Sequence, residues 1–313
     1  MQIPRDALTP DALGLLQSIA EAGSFAAAAR ELGVVPSALS YRVRQIEEAL
    51  DVLLFDRSSR QARPTAAGAE LLREGARLLR EMDAVANRVK RVATGWESQF
   101  TVAVDGIIRL ATVMELSEAF LAPAPTTRLR IRHEALSGTL EALMSGQADL
   151  ALGVSTLPGL PPDVQHGLLG RVRFVYAVAP HHPLARQAEP LTEDMLLRHR
   201  AVAVADSVHR GSGLTFGLLG GQDVFTVPSM ALKLDAQLRG IGGGFLPESL
   251  ARPYIETGRL VERVAQHPPR VVVAHYVWRA PQGAPMGRAL QWWLDQLESP
   301  RTRAALLGEG LTV

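Results

Sequence analysis

Four polar side chains share one face of a short predicted helix that begins at Pro36. Ser37, Tyr41 and Arg44 follow one another at spacings of four and three residues. At about 100° per residue these three side chains lie on the same side of a helix, with Ser40 beside them. Hydroxyl, phenol and guanidinium groups bind base edges and phosphates in the major groove of DNA. The pattern therefore predicts a helix that contacts double-stranded DNA through Ser37, Ser40, Tyr41 and Arg44.

Three arginines follow at intervals of three residues in a short polar segment. Arg57, Arg60 and Arg63 come shortly after the apolar pair Leu54 and Phe55. We predict a two-stranded wing whose guanidinium groups contact DNA phosphates. A solvated arginine cluster is the simpler interpretation of this segment alone, and a helix-turn-helix pattern alone also arises by chance. The order and close spacing of the two features favour nucleic-acid binding.

Helix caps and apolar stripes predict the elements that must hold these side chains. Ser24 is a suitable N-cap for the alanine-rich helix that starts at Phe25, and Gly33 suits the left-handed position after it. Pro36 then opens a second helix at its first position. The buried face of that helix carries an apolar stripe of Leu39, Val43, Ile46 and Leu50. A preceding helix capped at Thr9 should complete a small domain by packing against this pair.

Four segments of this region match one family pattern in order. They are Phe25–Leu32 (FAAAAREL), Ser37–Glu47 (SALSYRVRQIE), Leu54–Arg60 (LFDRSSR) and Pro64–Gly68 (PTAAG). With these segments the chain resembles the LysR-type transcriptional regulators, from which it departs at Pro36 and Pro64. The resemblance implies a winged helix-turn-helix that binds a partly palindromic operator, and a C-terminal effector domain like a periplasmic solute-binding protein. It also implies a small-molecule effector that changes promoter binding, with RNA polymerase as a further partner.

Length and composition limit the classes of protein to which this chain can belong. The 313 residues suffice for two or three domains, and 47% hydrophobic with 21% charged residues is typical of a soluble globular protein. The absence of cysteine excludes disulfides, thiolate metal sites and cysteine nucleophiles. A net charge of +1 argues against non-specific coating of DNA and is compatible with site-specific binding. Because no apolar run reaches the ~18 residues of a membrane span, and the N-terminus lacks a hydrophobic signal core, we expect a cytoplasmic protein.

Residues 65–94 predict one long helix with a narrow apolar seam. The seam consists of Leu71, Leu78, Met82, Val85, Val89 and Val92 at heptad spacing, with Gly75 in the vacant slot. Such a helix would be roughly 45 Å long, too long to bury its seam on a small winged domain. We therefore predict a dimer, and expect effector domains to join dimers into a tetramer; packing along its own effector domain is the alternative. Gly75 is expected to weaken or bend the helix.

Alternating strand and helix patterns occupy the rest of the chain, after a predicted hinge at residues 95–98. They favour two α/β subdomains with mostly parallel sheets. Three segments also resemble the family's effector domain: Ser145–Ala151, His182–Ala185 and Arg239–Pro247. The predicted fold class is α+β multidomain. Its parts are a winged helix-turn-helix (1–64), a linker and dimerisation helix (65–95) and an α/β effector domain of two subdomains (96–313).

Four loops are predicted to meet at the carboxyl ends of strands, where ligands bind in open α/β sheets. The candidate effector contacts in these loops are Asp105, Gly106, Ile107, Ser137, Gly138, Ser207, Ser229 and Met230. The family resemblance places effector contacts at the same loops, with serine or threonine in many members where this chain has Asp105. An ionised Asp105 would repel a carboxylate unless Arg109 or His133 compensates, which favours a neutral, hydroxyl-bearing or cationic effector. Capping of the following helix is the alternative role for Asp105.

Other chemistry-bearing residues predict no catalytic, metal or cofactor site. The histidines lack metal-ligand spacing, and the glycines of residues 240–244 lack the lysine of a phosphate-binding loop. Ser212 lies outside a nucleophile-elbow frame. Two rivals to a ligand-regulated transcription factor remain: an effector-independent architectural DNA-binding protein, and a solute-binding protein or enzyme on the same α/β fold.

Overall fold

The chain forms two compact units in a computed structural model. The units are Met1–Arg88 and Val89–Val313. The structure describes residues 4–56, 61–123, 127–157, 159–208, 217–266, 270–280 and 285–308. The predicted phosphate contacts Arg57 and Arg60 lie outside the described residues.

The first unit is a winged helix-turn-helix followed by a long helix. Its elements are α1 (Pro4–Ala7), α2 (Pro10–Ala22), α3 (Phe25–Glu31), α4 (Pro36–Leu50), β1 (Phe55–Asp56), β2 (Arg63–Pro64) and α5 (Ala66–Thr94). The end of α5, from Val89 onward, belongs to the second unit. The Thr9 and Ser24 side chains each accept a first-turn N–H at 3.2 Å, as predicted for N-caps. Gly33 has a φ of 66°, the left-handed conformation predicted for the turn between α3 and α4. The predicted helix-turn-helix is confirmed.

The core of this unit joins α2, α3, α4 and the wing. Leu39, Val43 and Ile46 are buried, so the predicted stripe of α4 faces the core. Glu47 is also buried, and its Oε1 accepts the N–H of Leu54 at 2.8 Å. A buried carboxylate is stabilised by such backbone donors. Glu47 therefore ties α4 to the start of the wing.

Helix α5 runs without interruption from Ala66 to Thr94, so Gly75 does not break it. A Cβ on Gly75 would lie 3.0 Å from Leu13 Cδ2, and the missing side chain lets α5 approach α2 closely. Leu71 packs against the core of the winged domain. The first side chain of the predicted seam therefore packs within its own chain. The seam's remaining five side chains, from Leu78 to Val92, are exposed.

The second unit is built on a seven-stranded mixed sheet. Its elements up to the middle of the chain are β3 (Gln99–Asp105), α6 (Leu110–Leu121), β4 (Arg128–Glu134), α7 (Gly138–Met144), β5 (Leu150–Val154) and β6 (Val164–Val178). After a 3-10 helix (Pro183–Arg186) come α8 (Glu193–Leu197), β7 (Ala201–Val204), β8 (Val224–Val227), α9 (Met230–Leu238), β9 (Gly244–Pro247) and α10 (Glu248–Glu256). The last elements are β10 (Val261–Arg263), β11 (Arg270–Arg279), α11 (Arg288–Glu298) and α12 (Pro300–Leu306).

Two long strands, β6 and β11, connect two lobes. The strand order is β10-β6-β11-β5-β3-β4, and β9 also pairs with β6. Strand β3 is parallel to β4 and β5, and β7 is parallel to β8. Strand β11 is antiparallel to β5 and β6, as β9 and β10 are to β6. The two predicted subdomains are present, but the prediction of mostly parallel sheets is wrong because the shared strands run antiparallel.

The early part of β6 has no clear strand pattern in the sequence. Its sequence, from Val164 to Arg171, contains Gly167 and Gly170 and no continuous apolar run. A Cβ on Gly167 would lie 2.2 Å from Tyr276 Cζ, so this glycine makes room for the aromatic ring on β11. Strand pairing with β11 therefore overrides a weak local pattern. Among the described residues, no single helix is long and apolar enough to cross a membrane.

The predicted hinge at residues 95–98 is a packed turn. Gly95 ends α5 with a φ of 76°, and its carbonyl accepts the N–H of Arg288 at 2.9 Å. The buried carboxylate of Glu97 accepts the N–H groups of Ala289 at 3.0 Å and Leu290 at 3.3 Å. These donors belong to the first turn of α11, which has no side-chain cap of its own. Glu97 therefore fixes the end of the linker helix to α11.

Replacing Glu97 with alanine is expected to destabilise the second unit by about 2 kcal/mol, because two buried N–H groups lose their acceptor. Urea unfolding followed by tryptophan fluorescence measures this, since all four tryptophans belong to the second unit. The exposed Glu118 on α6 is the control, and Glu118→Ala should leave the unfolding midpoint unchanged. Equal midpoints for the two variants would contradict the capping role of Glu97.

Candidate functional site

The exposed face of α4 carries the side chains predicted to meet DNA. Ser37, Ser40, Tyr41 and Arg44 are all exposed, opposite the buried stripe of the helix. Tyr41 is 61% exposed, and its hydroxyl accepts a hydrogen bond from Gln45 Nε2 at 3.1 Å. A face of donors and acceptors with no internal core contact is suited to base edges and phosphates.

The wing supplies one described arginine beside this helix. Strands β1 and β2 pair antiparallel, with Phe55 opposite Pro64 and Asp56 opposite Arg63. The two-stranded wing was predicted. Arg63 is exposed, and its guanidinium binds the Gln61 side chain at 3.1 and 3.2 Å. An exposed guanidinium on a wing can exchange such a partner for a phosphate.

A ligand-sized cavity lies in the second unit at the carboxyl end of β3. Its volume is about 70 Å³, whereas one water needs roughly 10–15 Å³, so it admits a compact molecule. Four predicted effector contacts line it: Asp105, Gly106, Ile107 and Met230. The other lining residues are His133, Ala135, Leu136, Ser155, Phe174, Ala203, Val204, Lys233, Phe245, Arg270 and Val272.

The carboxylate of Asp105 accepts hydrogen bonds from the segments around it. Its carboxylate accepts the N–H of Ile107 at 3.0 Å, the N–H of Leu136 at 2.9 Å and the hydroxyl of Thr139 at 3.2 Å. Burial raises the pKa of Asp105 to about 6, against the lowering effect of these donors. The residue at the N-cap of α6 is Arg109, so Asp105 does not cap that helix. Asp105 instead joins the turn after β3 to the start of α7.

The four other predicted effector contacts do not line this cavity. Ser137 donates to Asp206 Oδ2 at 2.6 Å and lines a neighbouring cavity beside α7. Ser207 Oγ accepts the N–H of Ala135 at 2.8 Å, and Ser229 caps α9 by accepting the N–H of Leu232 at 3.3 Å. A Cβ on Gly138 would lie 2.4 Å from Ser207 Cβ, so Gly138 provides close packing between the loops. These residues shape the loops of the site.

Two cationic residues of the cavity were missed by the sequence analysis. Lys233 is buried on α9, and Arg270 is half-buried at the start of β11. Lys233 is one of only two lysines in the chain, and it follows Met230 by three residues on the same helix face. That spacing was the available clue. The position of Arg270 beside it depends on the return of β11 through the sheet and has no local pattern.

Comparison with known proteins identifies both units. Residues 10–69 match the family model "Bacterial regulatory helix-turn-helix protein, lysR family", and residues 93–300 match "LysR substrate binding domain". The uncharacterized HTH-type transcriptional regulator YeeY of Escherichia coli strain K12 is 35% identical over 92% of each chain. The chain belongs to the LysR family.

Other relatives and solved structures are consistent with this membership. This chain is also 35% identical to the probable HTH-type transcriptional regulator YhaJ of Escherichia coli strain K12, over 93% of its own length and 96% of the length of YhaJ. The crystal structure of CbnR, a LysR family transcriptional regulator, is similar with a TM-score of 0.59 at 18% identity, covering 94% of this chain and 99% of that one. The full-length structure of AphB of Vibrio cholerae has a TM-score of 0.54 at 15% identity, over 93% and 98% of the chains. These likenesses show the shared fold.

The chain is therefore a DNA-binding transcriptional regulator of this family, with a helix-turn-helix unit and a substrate-binding unit.

Proposed function

We propose that Ser37, Ser40, Tyr41 and Arg44 read the major groove of an operator while the wing arginines hold its phosphates. The observation that carries this proposal is the division of α4 into a buried stripe and an exposed polar face. Pairing of two α5 helices would present two such faces to two half-sites, as a partly palindromic operator requires. The five exposed apolar side chains from Leu78 to Val92 support that pairing.

We further propose that a small molecule enters the cavity beside Asp105 and Lys233 and favours one assembly of the regulator over another. The altered pose of the DNA-binding units then changes contacts with promoter DNA and with RNA polymerase. The regulator acts in the cytoplasm and, with effector units joining dimers, as a tetramer. The cavity and its charged lining weigh against the architectural rival, which has no use for a polar cleft.

The proposal is tested by gel shift and footprinting of the protein on its own upstream intergenic region at stated salt. A protected site with approximate two-fold symmetry is the expected result. Equal binding to random DNA of the same length would contradict operator recognition.

Arg44→Ala is expected to weaken operator binding by about 1–3 kcal/mol, as for loss of a good base contact. The dimer should stay intact because Arg44 is an exposed residue of α4 and does not belong to the α5 seam. Titration of labelled operator DNA measures the affinity. The control is Arg198→Ala, which removes an exposed arginine from the second unit and should leave operator affinity unchanged. Unchanged affinity for Arg44→Ala would contradict the assignment of the α4 face.

A further inference from the structure

The side chain of Lys233 is buried, and the described residues place no group of opposite charge against it. Lys233 is 6% exposed, and within the described residues its side chain has no ion pair and no hydrogen bond. Burial lowers the pKa of Lys233 to about 8, with a further lowering from the Arg270 guanidinium. Buried charges in proteins are normally paired, because an unpaired one loses its hydration without compensation. The described part of the chain therefore holds a buried cation without supplying its partner.

This cation faces the cavity together with Arg270. Lys233 comes from α9 and Arg270 from β11, so two distant parts of the chain place positive groups on one space. The other charged or titratable residues that line the cavity are Asp105 on β3 and His133 on β4. Asp105 already accepts three hydrogen bonds from the surrounding loops. The Lys233 and Arg270 side of the cavity is therefore suited to an anion.

The rest of the cavity is lined mainly by apolar side chains. Phe174 and Phe245 come from the paired strands β6 and β9, and Val272 lies two residues after Arg270. Met230 and Ile107 contribute further apolar surface. An inorganic anion would leave this surface uncovered, whereas an organic anion with a compact hydrocarbon body would bury it.

We propose that the effector is a small organic anion whose acidic group is held by Lys233 and Arg270 and whose apolar body contacts Phe174, Phe245 and Val272. This inference rests on the proposed function, because it names the chemical class that the regulatory cavity accepts. It reverses the expectation of a neutral or cationic effector, which assumed that Asp105 would face the ligand as a free carboxylate.

The test uses the full chain with short and branched monocarboxylates and their isosteric primary amides as probes, measured by calorimetric titration. The carboxylates are expected to bind about tenfold or more tightly than the amides, because hydrogen bonds between charged groups are the stronger ones. Lys233→Met keeps the length of the side chain and removes its charge, and it should lose this preference. The exposed Arg252 on α10 provides the matched control, since Arg252→Met should keep it.

The pH dependence separates the role of the Lys233 charge from a packing defect. Wild-type affinity for a carboxylate should fall as the pH rises above about 8, where Lys233 loses its proton. Lys233→Arg retains a charge at these pH values, so its affinity should stay level over the same interval. Parallel loss of affinity in both proteins would overturn the assignment of Lys233.

Three outcomes contradict the proposal directly. They are equal binding of carboxylates and amides, an unchanged preference in Lys233→Met, and binding of inorganic phosphate or chloride as tight as that of every carboxylate. Gel shifts of wild type and the same variants on operator DNA, without any carboxylate or amide, show whether only the effector class is wrong or the proposed function is wrong as well. Operator binding by wild type and Lys233→Met alongside failed anion binding would overturn only the effector class. Loss of operator recognition by wild type would instead overturn the proposed function.

Discussion

Gly68→Ala is expected to destabilise the winged unit by about 3 kcal/mol or more, although alanine ordinarily stabilises a helix. A Cβ at this position would lie 1.9 Å from the carbonyl oxygen of Leu54, a backbone atom that cannot rotate away. Thr65 holds the same junction, because its hydroxyl donates to the Leu53 carbonyl at 2.7 Å and accepts the Gly68 N–H at 3.0 Å. The added methyl group must therefore separate α5 from the wing.

Gly14→Ala is the matched control for this prediction. Gly14 also lies inside a helix, but apart from its own stretch of helix no atom of the described residues lies within 4 Å of its hypothetical Cβ. The same substitution should stabilise the unit there by about 0.5–1 kcal/mol. Urea unfolding followed by circular dichroism should show a lowered midpoint for Gly68→Ala and a raised one for Gly14→Ala. A Gly68→Ala midpoint at or above that of wild type would contradict the close contact with Leu54.

Val89→Glu is expected to weaken the proposed dimer by about 3 kcal/mol, roughly a hundredfold in dissociation constant. Val89 is 65% exposed in the single chain, so the substitution should not disturb the fold of the isolated helix. In a paired seam, each dimer would bury two carboxylates among apolar side chains. Light scattering over a range of protein concentrations should show the molar mass falling towards that of one chain.

Arg77→Glu is the control for this prediction. It changes the charge by a larger amount, on the same helix, at an exposed position off the seam. The dimer should survive this substitution. If Val89→Glu and Arg77→Glu give the same molar mass as wild type at all concentrations, the assembly does not depend on the α5 seam.

Local patterns were sufficient wherever a short segment determines its own structure. The caps at Thr9 and Ser24 and the positive φ of Gly33 follow from hydrogen bonds and backbone geometry within four or five residues. The long α5 helix follows from uninterrupted helix-forming residues with heptad spacing. A stripe of apolar residues also determines which face of α4 is buried and which remains exposed.

Contacts between distant segments decided the remaining features. Leu71 belongs to the heptad pattern, yet it packs on the winged core because α5 starts against that core. From the sequence, Asp105 was expected to face the ligand. In the structure its carboxylate accepts hydrogen bonds from Leu136 and Thr139, which belong to a distant segment of the chain. The spacing of apolar residues identifies which face of a helix is apolar, but it does not identify the segment that packs against that face.

The sequence by itself determined the family, the helix-turn-helix, its wing and the α/β character of the second unit, because these depend on local spacing. The tertiary structure alone decided the mixed order of the sheet and the charge of the cavity. Lys233 and Arg270 are brought together when β11 returns beside β6 and α9 packs on the same sheet. The cost of a buried charge depends on neighbours far away in the chain, so it becomes visible only once the chain is folded.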